Sequence, residues 1–365
     1  MNTTHSHTTR PLKVLLLSRY GRTGASSRVR SYIYTSLLAE QGITVVAKPL
    51  FSDQYIARIN AGEQHLYTRI ARWYLARFFL LVTAWRYDLV WIEKELFPWF
   101  PATAEVLLNA MGVGYVVDYD DAVFHRYDTH PSRFVRFFLG RKIDRVMKHA
   151  RAVIVGNEYL AARARQAGAD RVLVIPSVVD GGKHRLTQKP KSSSAFRIGW
   201  LGSPTTVPHL ESALPILREL CAEYSMQLVI VGAEKQTIKN MPVEYRVWSE
   251  ETETDDVKTF DIGVMPLPDD HWERGKCGYK LIKYMACGLP VVASPVGMNA
   301  EIVDEGVNGF LASTPKEWRT AILALYNDPA LRTRMGRWGF EKVHERYTIQ
   351  LMAPRLMALF RSLVG

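Results

Sequence analysis

The chain carries two successive series of short segments that are apolar at every position, and amphipathic segments with a helical period separate them. The first series runs from residues 13–17 to 172–175, and the second from 197–201 to 290–293. Continuously apolar segments are typical of strands that are buried on both faces of a parallel sheet. The alternation of strands and helices therefore predicts an α/β fold with two doubly wound, Rossmann-like domains.

The order of the segments gives the expected elements of each half. Further strands are predicted at residues 44–47, 89–92, 115–117, 152–155, 227–231 and 262–265. Helices are predicted at residues 28–41, 64–85, 102–111, 133–149, 158–167, 210–224, 250–259, 279–287 and from 316 to the end. Residues 181–195 (GGKHRLTQKPKSSSA) are basic and polar without an apolar period, so they are predicted to be a linker. Because ligands of such sheets bind beyond the carboxyl ends of the strands, a cleft between the two domains is the expected binding site.

Charge and cysteine content limit the class of protein. The chain has 47 Lys and Arg against 36 Asp and Glu, a formal net charge of +11, which implies an anionic partner such as a phosphorylated small molecule, an anionic membrane or nucleic acid. Cys221, Cys277 and Cys287 lack the spacing of a disulfide framework or a zinc site and suit a reducing compartment. No apolar run reaches the roughly 18–20 residues of a membrane span. The first ten residues lack the apolar core of a signal peptide, so a cytoplasmic location is expected.

The most informative segment is residues 275–311, GKCGYKLIKYMACGLPVVASPVGMNAEIVDEGVNGFL. It predicts a glycine-rich loop that opens a helix, a buried strand, a second glycine loop and a second helix start. A helix that opens from such a loop offers bare N–H groups and a dipole to phosphate, and Lys276 and Lys280 add positive charge there. Glu301, in the first turn of the second helix, is placed to accept hydrogen bonds from a sugar hydroxyl. The alternative is that these three residues are ordinary surface and helix-start charges.

The run YMACGLPVVASPVG, followed by EIVDEGVNGFL, closely resembles the donor-binding segment of the retaining GT-B glycosyltransferases called glycosyl transferases group 1, or family 4. The resemblance is moderate over residues 196–204 and 174–180 and weaker over the N-terminal half. It implies transfer of a sugar from a nucleotide-diphosphate donor to a hydroxyl of a glycan or lipid-linked acceptor in cell-surface polysaccharide synthesis, with retention at the anomeric carbon. It also implies an N-terminal acceptor domain at 1–180, a C-terminal donor domain at 196–345 and a last helix, 346–365, that returns to the N-terminal domain.

The resemblance implies a set of donor-site residues. The diphosphate would lie on the helix that begins near Tyr279, without a cofactor or metal ion, because the helix dipole and cationic side chains do the work of a metal at the leaving group. Lys280 is expected to act in catalysis, and Trp248 is expected to flank the nucleobase. The full set of expected donor-binding residues is Gly202, Ser203, Pro204, Trp248, Lys276, Gly278, Tyr279 and Glu301.

The chain also departs from the pattern of that family. Members usually carry two glutamates around the donor helix, and the second binds the nucleotide ribose. Gly275 and Lys283 stand at those positions here, so Lys283 is expected to point to solvent or to contact a phosphate. Glu301 becomes the best remaining acid. The family's basic residue after the strand at Ile198 is also absent, and Lys280 is expected to compensate for it.

The loop after the first strand, YGRTGASSR, is expected to face the acceptor or the donor phosphates. Gly24 permits close approach of the backbone. The guanidinium groups of Arg22 and Arg28 suit an anionic group. The alternative is an ordinary strand-to-helix turn in which Ser26 or Ser27 caps the helix.

Acidic residues cluster after the predicted strand that ends at Val117. Asp118, Asp120 and Asp121 lie within four residues, so they repel one another unless hydroxyls, arginines or a metal ion satisfy them. We expect Asp120 or Asp121 to contact the donor sugar or the acceptor hydroxyl, as catalytic residues. A divalent-metal site and a turn with a helix cap are the two alternatives.

Two basic, aromatic segments point to a membrane surface. One begins at Tyr67 and ends at Trp91, and the other begins at Arg133 and ends at Lys148. Cationic amphipathic helices with aromatic residues lie well in an anionic headgroup layer, which suits an enzyme with a lipid-linked acceptor at the inner face of the cell membrane. The alternative is a helix packed in the core whose arginines reach water.

Two other functions are compatible with these patterns. A nucleotide-sugar epimerase or hydrolase would use the same fold without an acceptor. A non-catalytic protein that binds a membrane or a polyanion would explain the missing glutamates and the positive charge. No nucleic-acid partner is expected for the enzyme.

Overall fold

The computed structural model describes residues 10–60, 67–186, 195–233, 238 and 240–364. Residues 187–194 of the predicted linker and residues 64–66 of a predicted helix lie outside the described residues. The chain forms two compact units. Unit 1 comprises residues up to Tyr119, Val123–Ile175 and Met352–Gly365, and unit 2 comprises Asp120–Ala122 and Pro176–Leu351.

Each unit is built on a parallel six-stranded sheet. In unit 1 the strand order is β2-β1-β3-β4-β5-β6, and in unit 2 it is β12-β11-β10-β7-β8-β9. Every pair of neighbours is parallel, which confirms the predicted class of two doubly wound α/β domains. The strands are β1 Leu12–Leu17, β2 Ile43–Ala47, β3 Leu89–Glu93, β4 Tyr115–Tyr119, β5 Ala152–Val155, β6 Val172–Val174, β7 Phe196–Leu201, β8 Met226–Val231, β9 Val243–Arg246, β10 Ile262–Met265, β11 Val291–Ala293 and β12 Gly309–Leu311.

Helices connect the strands of both sheets. They are α1 Ala25–Arg30, α2 Thr35–Glu40, α3 Asp53–Asn60, α4 Tyr67–Leu81, α5 Thr103–Ala110, α6 His125–Asp128, α7 Arg133–Leu139, α8 Lys142–His149, α9 Glu158–Gln166, α10 Leu214–Glu223, α11 Glu253–Lys258, α12 Tyr279–Ala286, α13 Asn299–Ile302, α14 Pro315–Asn327, α15 Pro329–Arg346 and α16 Ile349–Val364. Short 3₁₀ turns supplement them, of which Pro204–Ser212, Glu273–Gly275 and Gly181–Lys183 bear on the site.

Several predicted elements differ from the observed ones for local reasons. The helix predicted at 28–41 is divided at Ser31, whose backbone leaves the helical region and whose hydroxyl donates to the carbonyl of Ser27 at 2.7 Å. The edge strands β9 and β12 were not predicted, because their sequences VEYR and GFL are short and not continuously apolar. Helix α3 was also missed.

Two glycines in the unit 2 sheet determine how α12 packs. A Cβ atom on Gly199 of β7 would lie 1.8 Å from the ring of Phe260, and one on Gly263 of β10 would lie 2.2 Å from the ring of Tyr284. The two aromatic rings therefore lie directly on the backbone of the sheet. The hydroxyl of Tyr284 then accepts a hydrogen bond from the amide of Leu201 at 2.7 Å, which ties α12 to the carboxyl end of β7.

The aromatic segments of unit 1 have an exposed face. Phe134, Phe137 and Phe138 of α7 are 78%, 82% and 66% exposed. Leu75, Phe78, Phe79, Val82 and Trp85, in and just after α4, are also exposed. Arg77 lies within the basic segment from Tyr67 to Trp91 that was predicted to face a membrane surface, and for this residue the prediction is wrong. It is buried and donates to the carbonyls of Ser18 and Lys48, and burial lowers its pKa to about 10.

None of the helices in the described part of the chain combines the length and the apolarity that a bilayer crossing requires.

Candidate functional site

The amino end of α12 is shaped by a glycine in the left-handed conformation. Gly278 precedes the helix with φ of +63°, and a Cβ atom there would lie 2.2 Å from Cδ1 of Ile302. Only glycine fits this position without strain. No side chain caps the helix, so the first turn presents its N–H groups and the positive end of its dipole.

Lys280 lies in the first turn of α12, above an aromatic ring. Its Nζ atom is 4.1 Å from the ring centroid of Trp200, at the end of β7, and the side chain is half-buried. Burial and the neighbouring ammonium of Lys276 lower the pKa of Lys280 to about 7. A cation–π contact of this kind holds the ammonium in place while it retains its attraction for an anion.

Lys276 is held by two carboxylates of unit 2. Its Nζ atom lies 3.4 Å from Oε2 of Glu273 and 3.6 Å from Oδ1 of Asp121. The other oxygen of the Glu273 carboxylate faces Nε2 of His209 at 3.0 Å. An anion at this position would therefore compete with existing ion pairs for Lys276.

Lys283 does not point to solvent, so that prediction is wrong, whereas its contact with a phosphate stays a prediction. It is buried, and its Nζ atom lies 3.0 Å from Oε1 of Glu253 in α11. It also donates to the hydroxyl of Thr254 at 2.8 Å and faces Nε2 of His184 at 3.3 Å. Burial and the ammonium of Lys283 lower the pKa of His184 to about 4, so this imidazole is neutral near pH 7.

Glu253 also joins two of the predicted donor-site residues. The indole Nε1 of Trp248 donates to its Oε2 atom at 2.5 Å, and the hydroxyl of Tyr279 donates to Oε1 at 3.2 Å. The carboxylate itself is buried. Sequence reasoning missed Glu253, because nothing in the local run SEETETDD distinguishes one acid from the others.

The other predicted donor-site residues lie in two places in unit 2. Gly202, Ser203 and Pro204 follow β7 and lead into the 3₁₀ turn Pro204–Ser212, where the Ser203 hydroxyl pairs with that of Thr205 at 2.9 Å. Glu301 lies in α13 and is exposed, and its backbone carbonyl accepts from Lys342 at 2.8 Å. The roles assigned to these residues stay predictions.

The acidic cluster at the carboxyl end of β4 takes part in several contacts. Asp118 forms a two-pronged hydrogen bond with Arg30 at 2.8 and 3.2 Å, and both side chains are buried. Asp121 faces Lys276, and the carbonyl of Asp120 accepts from the thiol of Cys277 at 3.2 Å. The catalytic role of Asp120 or Asp121 stays a prediction. Within the residues that the structure describes, no group of three or more His, Cys, Asp or Glu side chains is arranged to hold a metal ion.

In the loop after β1, the capping alternative is wrong. The residue at the cap position of α1 is Gly24, and no side chain caps the helix. Ser27 is buried and donates to Oε2 of Glu93 at 2.6 Å. Arg22 is exposed and Arg28 is buried, and their proposed contact with an anion stays a prediction.

Sequence reasoning overlooked the polar residues at the carboxyl end of β3. Glu95 is buried, receives hydrogen bonds from Lys142 and from the hydroxyl of Tyr127 at 2.8 Å, and faces Arg19 at 3.5 Å. Burial opposes ionisation of Glu95, but the Lys142 ammonium outweighs this and holds its pKa below the usual range. Lys94, beside it, is buried with φ of +64°. The run Glu-Lys-Glu directly after an apolar strand was the available signal.

Two families match the chain. The family described as Glycosyl transferases group 1 matches residues 195–328, and the one described as Glycosyl transferase 4-like domain matches residues 21–177.

Curated relatives match only parts of the chain. A D-inositol 3-phosphate glycosyltransferase of Pseudarthrobacter chlorophenolicus is 30% identical over 139 residues, which are 36% of this chain and 30% of that protein. Sucrose synthase 1 of Oryza sativa subsp. japonica is 33% identical over 88 residues, which are 22% of this chain and 11% of that protein. The matched segments thus span less than a third of either relative.

Solved structures match nearly the whole chain. Anabaena Alr3699/HepE in complex with UDP and glucose has a TM-score of 0.69 at 16% identity, covering 96% of this chain and 100% of that one. Sucrose-phosphate synthase from Thermosynechococcus elongatus has a TM-score of 0.70 at 14% identity, covering 96% and 99%. At these identities the likeness establishes the shared fold.

Proposed function

Because the chain belongs to the group 1 glycosyltransferases with the GT-B fold, we propose that it transfers a sugar from a nucleoside diphosphate to a hydroxyl of a glycan or lipid-linked acceptor, with retention, in cell-surface polysaccharide synthesis. The observation that carries the proposal is the uncapped amino end of α12, with the ammonium of Lys280 held beside it over Trp200. The Anabaena relative, whose structure contains UDP and glucose, supports a nucleotide-sugar donor.

In the proposed reaction the bond between the anomeric carbon and the diphosphate oxygen breaks. The N–H groups of α12 and the ammonium of Lys280 stabilise the charge that develops on the departing diphosphate. The acceptor oxygen forms its bond on the same face of the sugar, and its proton passes to the departing phosphate oxygen. The roles left for Asp120 or Asp121 and for Glu301 are contacts with sugar or acceptor hydroxyls. No metal ion or other cofactor takes part in this scheme.

A panel of UDP-, GDP-, ADP- and dTDP-sugars tests the proposal. We expect at least one to raise the melting temperature of the purified protein and to be hydrolysed or used for transfer to an acceptor. An epimerised sugar as the product would support the epimerase alternative. If none of the donors binds or reacts, the proposed function is wrong.

The pKa of Lys280 makes donor binding depend on pH. In the unliganded protein this ammonium loses its proton above about pH 7, whereas a bound diphosphate favours the charged form, so binding takes up a proton. Affinity for a nucleoside diphosphate should therefore fall above pH 7, by up to about tenfold per pH unit. Titration calorimetry at a series of pH values measures this.

Replacement Lys280→Arg is the control for that pH dependence. The guanidinium stays charged throughout the range, so the variant should bind with nearly constant affinity. The stability of the unliganded wild-type protein should change with pH in the opposite direction. Between pH 7 and the ordinary lysine pKa of 10.5, the unfolded chain binds more protons than the folded protein. The free energy of unfolding of the wild-type protein should therefore rise with pH in that interval. A wild-type affinity that does not change with pH contradicts the role of Lys280.

We also propose that the enzyme works at an anionic membrane surface, through the segments Tyr67 to Trp91 and Arg133 to Lys148 of unit 1. The support is the exposed aromatic face of α7 and the exposed apolar side chains in and after α4. Arginines are interspersed with them, and the exposed ones are Arg69, Arg72, Arg86, Arg133, Arg136, Arg141 and Arg145. Aromatic rings that enter the headgroup layer beside guanidinium groups fit an anionic lipid surface.

Co-sedimentation with vesicles tests the membrane proposal. The protein should bind vesicles that contain phosphatidylglycerol and should bind weakly to pure phosphatidylcholine. The variant F134S/F137S/F138S should lose at least about tenfold in affinity, because burial of one phenylalanine is worth about 1.5–3 kcal/mol. The matched control V307S/W338S/L351S removes three exposed apolar side chains of unit 2 and should bind like wild type. Equal binding of both variants contradicts the proposal.

A further inference from the structure

We propose that Glu253 of α11 is the acid that recognises the ribose of the donor nucleotide, a role for which α12 carries no carboxylate in this chain. The inference rests on the proposed nucleotide-sugar donor. It assigns a substrate-binding role to a residue outside the segment in which the sequence resemblance places the ribose acid.

The carboxylate and the ammonium lie on the opposite helices from those that the family resemblance predicts: α12 carries the lysine, and α11 carries the acid. Lys283 occupies the position of the expected glutamate on α12, and its ammonium lies 3.0 Å from Oε1 of Glu253. Both side chains are buried, and a buried ion pair is tolerated only where further hydrogen bonds satisfy its charges. Thr254 and His184 satisfy Lys283 in this way. A carboxylate is therefore still present at this place, but α11 supplies it instead of α12.

The position of Glu253 matches the connectivity of a nucleoside diphosphate. In such a ligand the ribose lies between the nucleobase and the diphosphate. Glu253 accepts one hydrogen bond from Trp248, the residue expected to flank the base, and one from Tyr279, the first residue of the helix expected to hold the diphosphate. Its carboxylate therefore lies between the residue expected to flank the base and the helix expected to hold the diphosphate, which is the place of the ribose in the proposed site.

A ribose hydroxyl can enter this arrangement by exchange of one donor. Among its contacts with Trp248, Lys283 and Tyr279, the one with the Tyr279 hydroxyl is the longest at 3.2 Å, against 2.5 Å for Trp248 and 3.0 Å for Lys283. A ribose hydroxyl that replaces the phenol would leave the ion pair and the indole contact in place. A hydrogen bond to a charged group contributes about 1.5–3 kcal/mol, and loss of the longer Tyr279 contact offsets part of this, which leaves a net gain of about tenfold in affinity.

Titration calorimetry with paired ligands tests the inference. The probes are the ribonucleoside diphosphate that wild type binds best among UDP, GDP and ADP, and its 2′,3′-dideoxy counterpart. Wild type should bind the ribose form at least about tenfold more tightly. Variant E253Q should reduce that ratio to about threefold or less, whereas the matched control E251Q, at an exposed acid two residues away, should keep it.

Each outcome bears on the inference. A wild-type ratio near one, or an unchanged ratio in E253Q, overturns it while leaving the proposed donor intact. If wild type binds no nucleoside diphosphate, the proposed function fails as well. Should E253Q not fold, E253D keeps the charge beside Lys283 but withdraws the carboxylate by one methylene group, and an unchanged ratio in that variant overturns the inference. A purely structural role would weaken both ligands equally.

Discussion

Replacement of Lys280 by alanine should lower the rate of sugar transfer or donor hydrolysis by about 100-fold or more, the scale on which loss of one electrostatic stabiliser acts. The ammonium lies in the first turn of α12 and is fixed 4.1 Å from the ring centroid of Trp200. A group that is already in place when charge develops on the departing diphosphate needs no reorganisation, which is why the expected effect on turnover is large.

The measurement is the steady-state rate of nucleoside diphosphate release from the donor that wild type uses best. Variant K316A removes an exposed lysine of α14 and is the control, for which we expect unchanged kinetics. Variant K280R keeps the charge and should recover part of the activity. If K280A retains turnover within a few-fold of wild type, the diphosphate does not depend on this ammonium.

Replacement of Arg30 by methionine should lower the free energy of unfolding by about 3–5 kcal/mol. Arg30 forms two hydrogen bonds with Asp118 and a third with the carbonyl of Ile175 at 2.7 Å. The side chains of both ionic partners are nearly inaccessible to solvent. Removal of the arginine leaves the Asp118 carboxylate buried without its charged partner, which is far more costly than loss of an exposed pair.

Urea unfolding of matched variants measures this effect. Arg165 and Glu158 form an exposed ion pair of the same chemical type, so R165M should change the free energy of unfolding by less than about 1 kcal/mol. The double variant R30M/D118N also removes the buried negative charge of Asp118. It should therefore recover part of the lost free energy of unfolding. Equal stability of R30M and R165M contradicts the buried ion pair.

Much of the fold followed from local patterns. Continuous apolar runs identified, within one or two residues, ten of the twelve strands in the described part of the chain, because strands buried on both faces leave no room for polar positions. The two that were missed, β9 and β12, lie at the edges of the unit 2 sheet, where a short or polar sequence is tolerated. The glycine loop before α12 could also be predicted from the sequence, because a residue with left-handed backbone conformation at a helix start favours glycine.

The partners of charged side chains could not be predicted from local sequence patterns. Arg77 was expected among surface arginines but is buried against backbone carbonyls of residues 18 and 48. Lys283 was expected near solvent or phosphate but is paired with Glu253, thirty residues earlier in the chain. Arg30, which satisfies Asp118, is 88 residues away from it. Sequence patterns report which side of an element is apolar, and they do not report which distant element supplies the counter-charge.

The sequence by itself determined the order of strands and helices, the membership of the family and the place of the helix that is expected to hold the donor, because each depends on a contiguous run of residues. Only the tertiary structure decided which charges are buried together and that Glu253 contacts Trp248, Tyr279 and Lys283, because those contacts join residues from separate elements. Burial of an ionisable group has to be compensated in space, and that compensation leaves no local pattern in the chain.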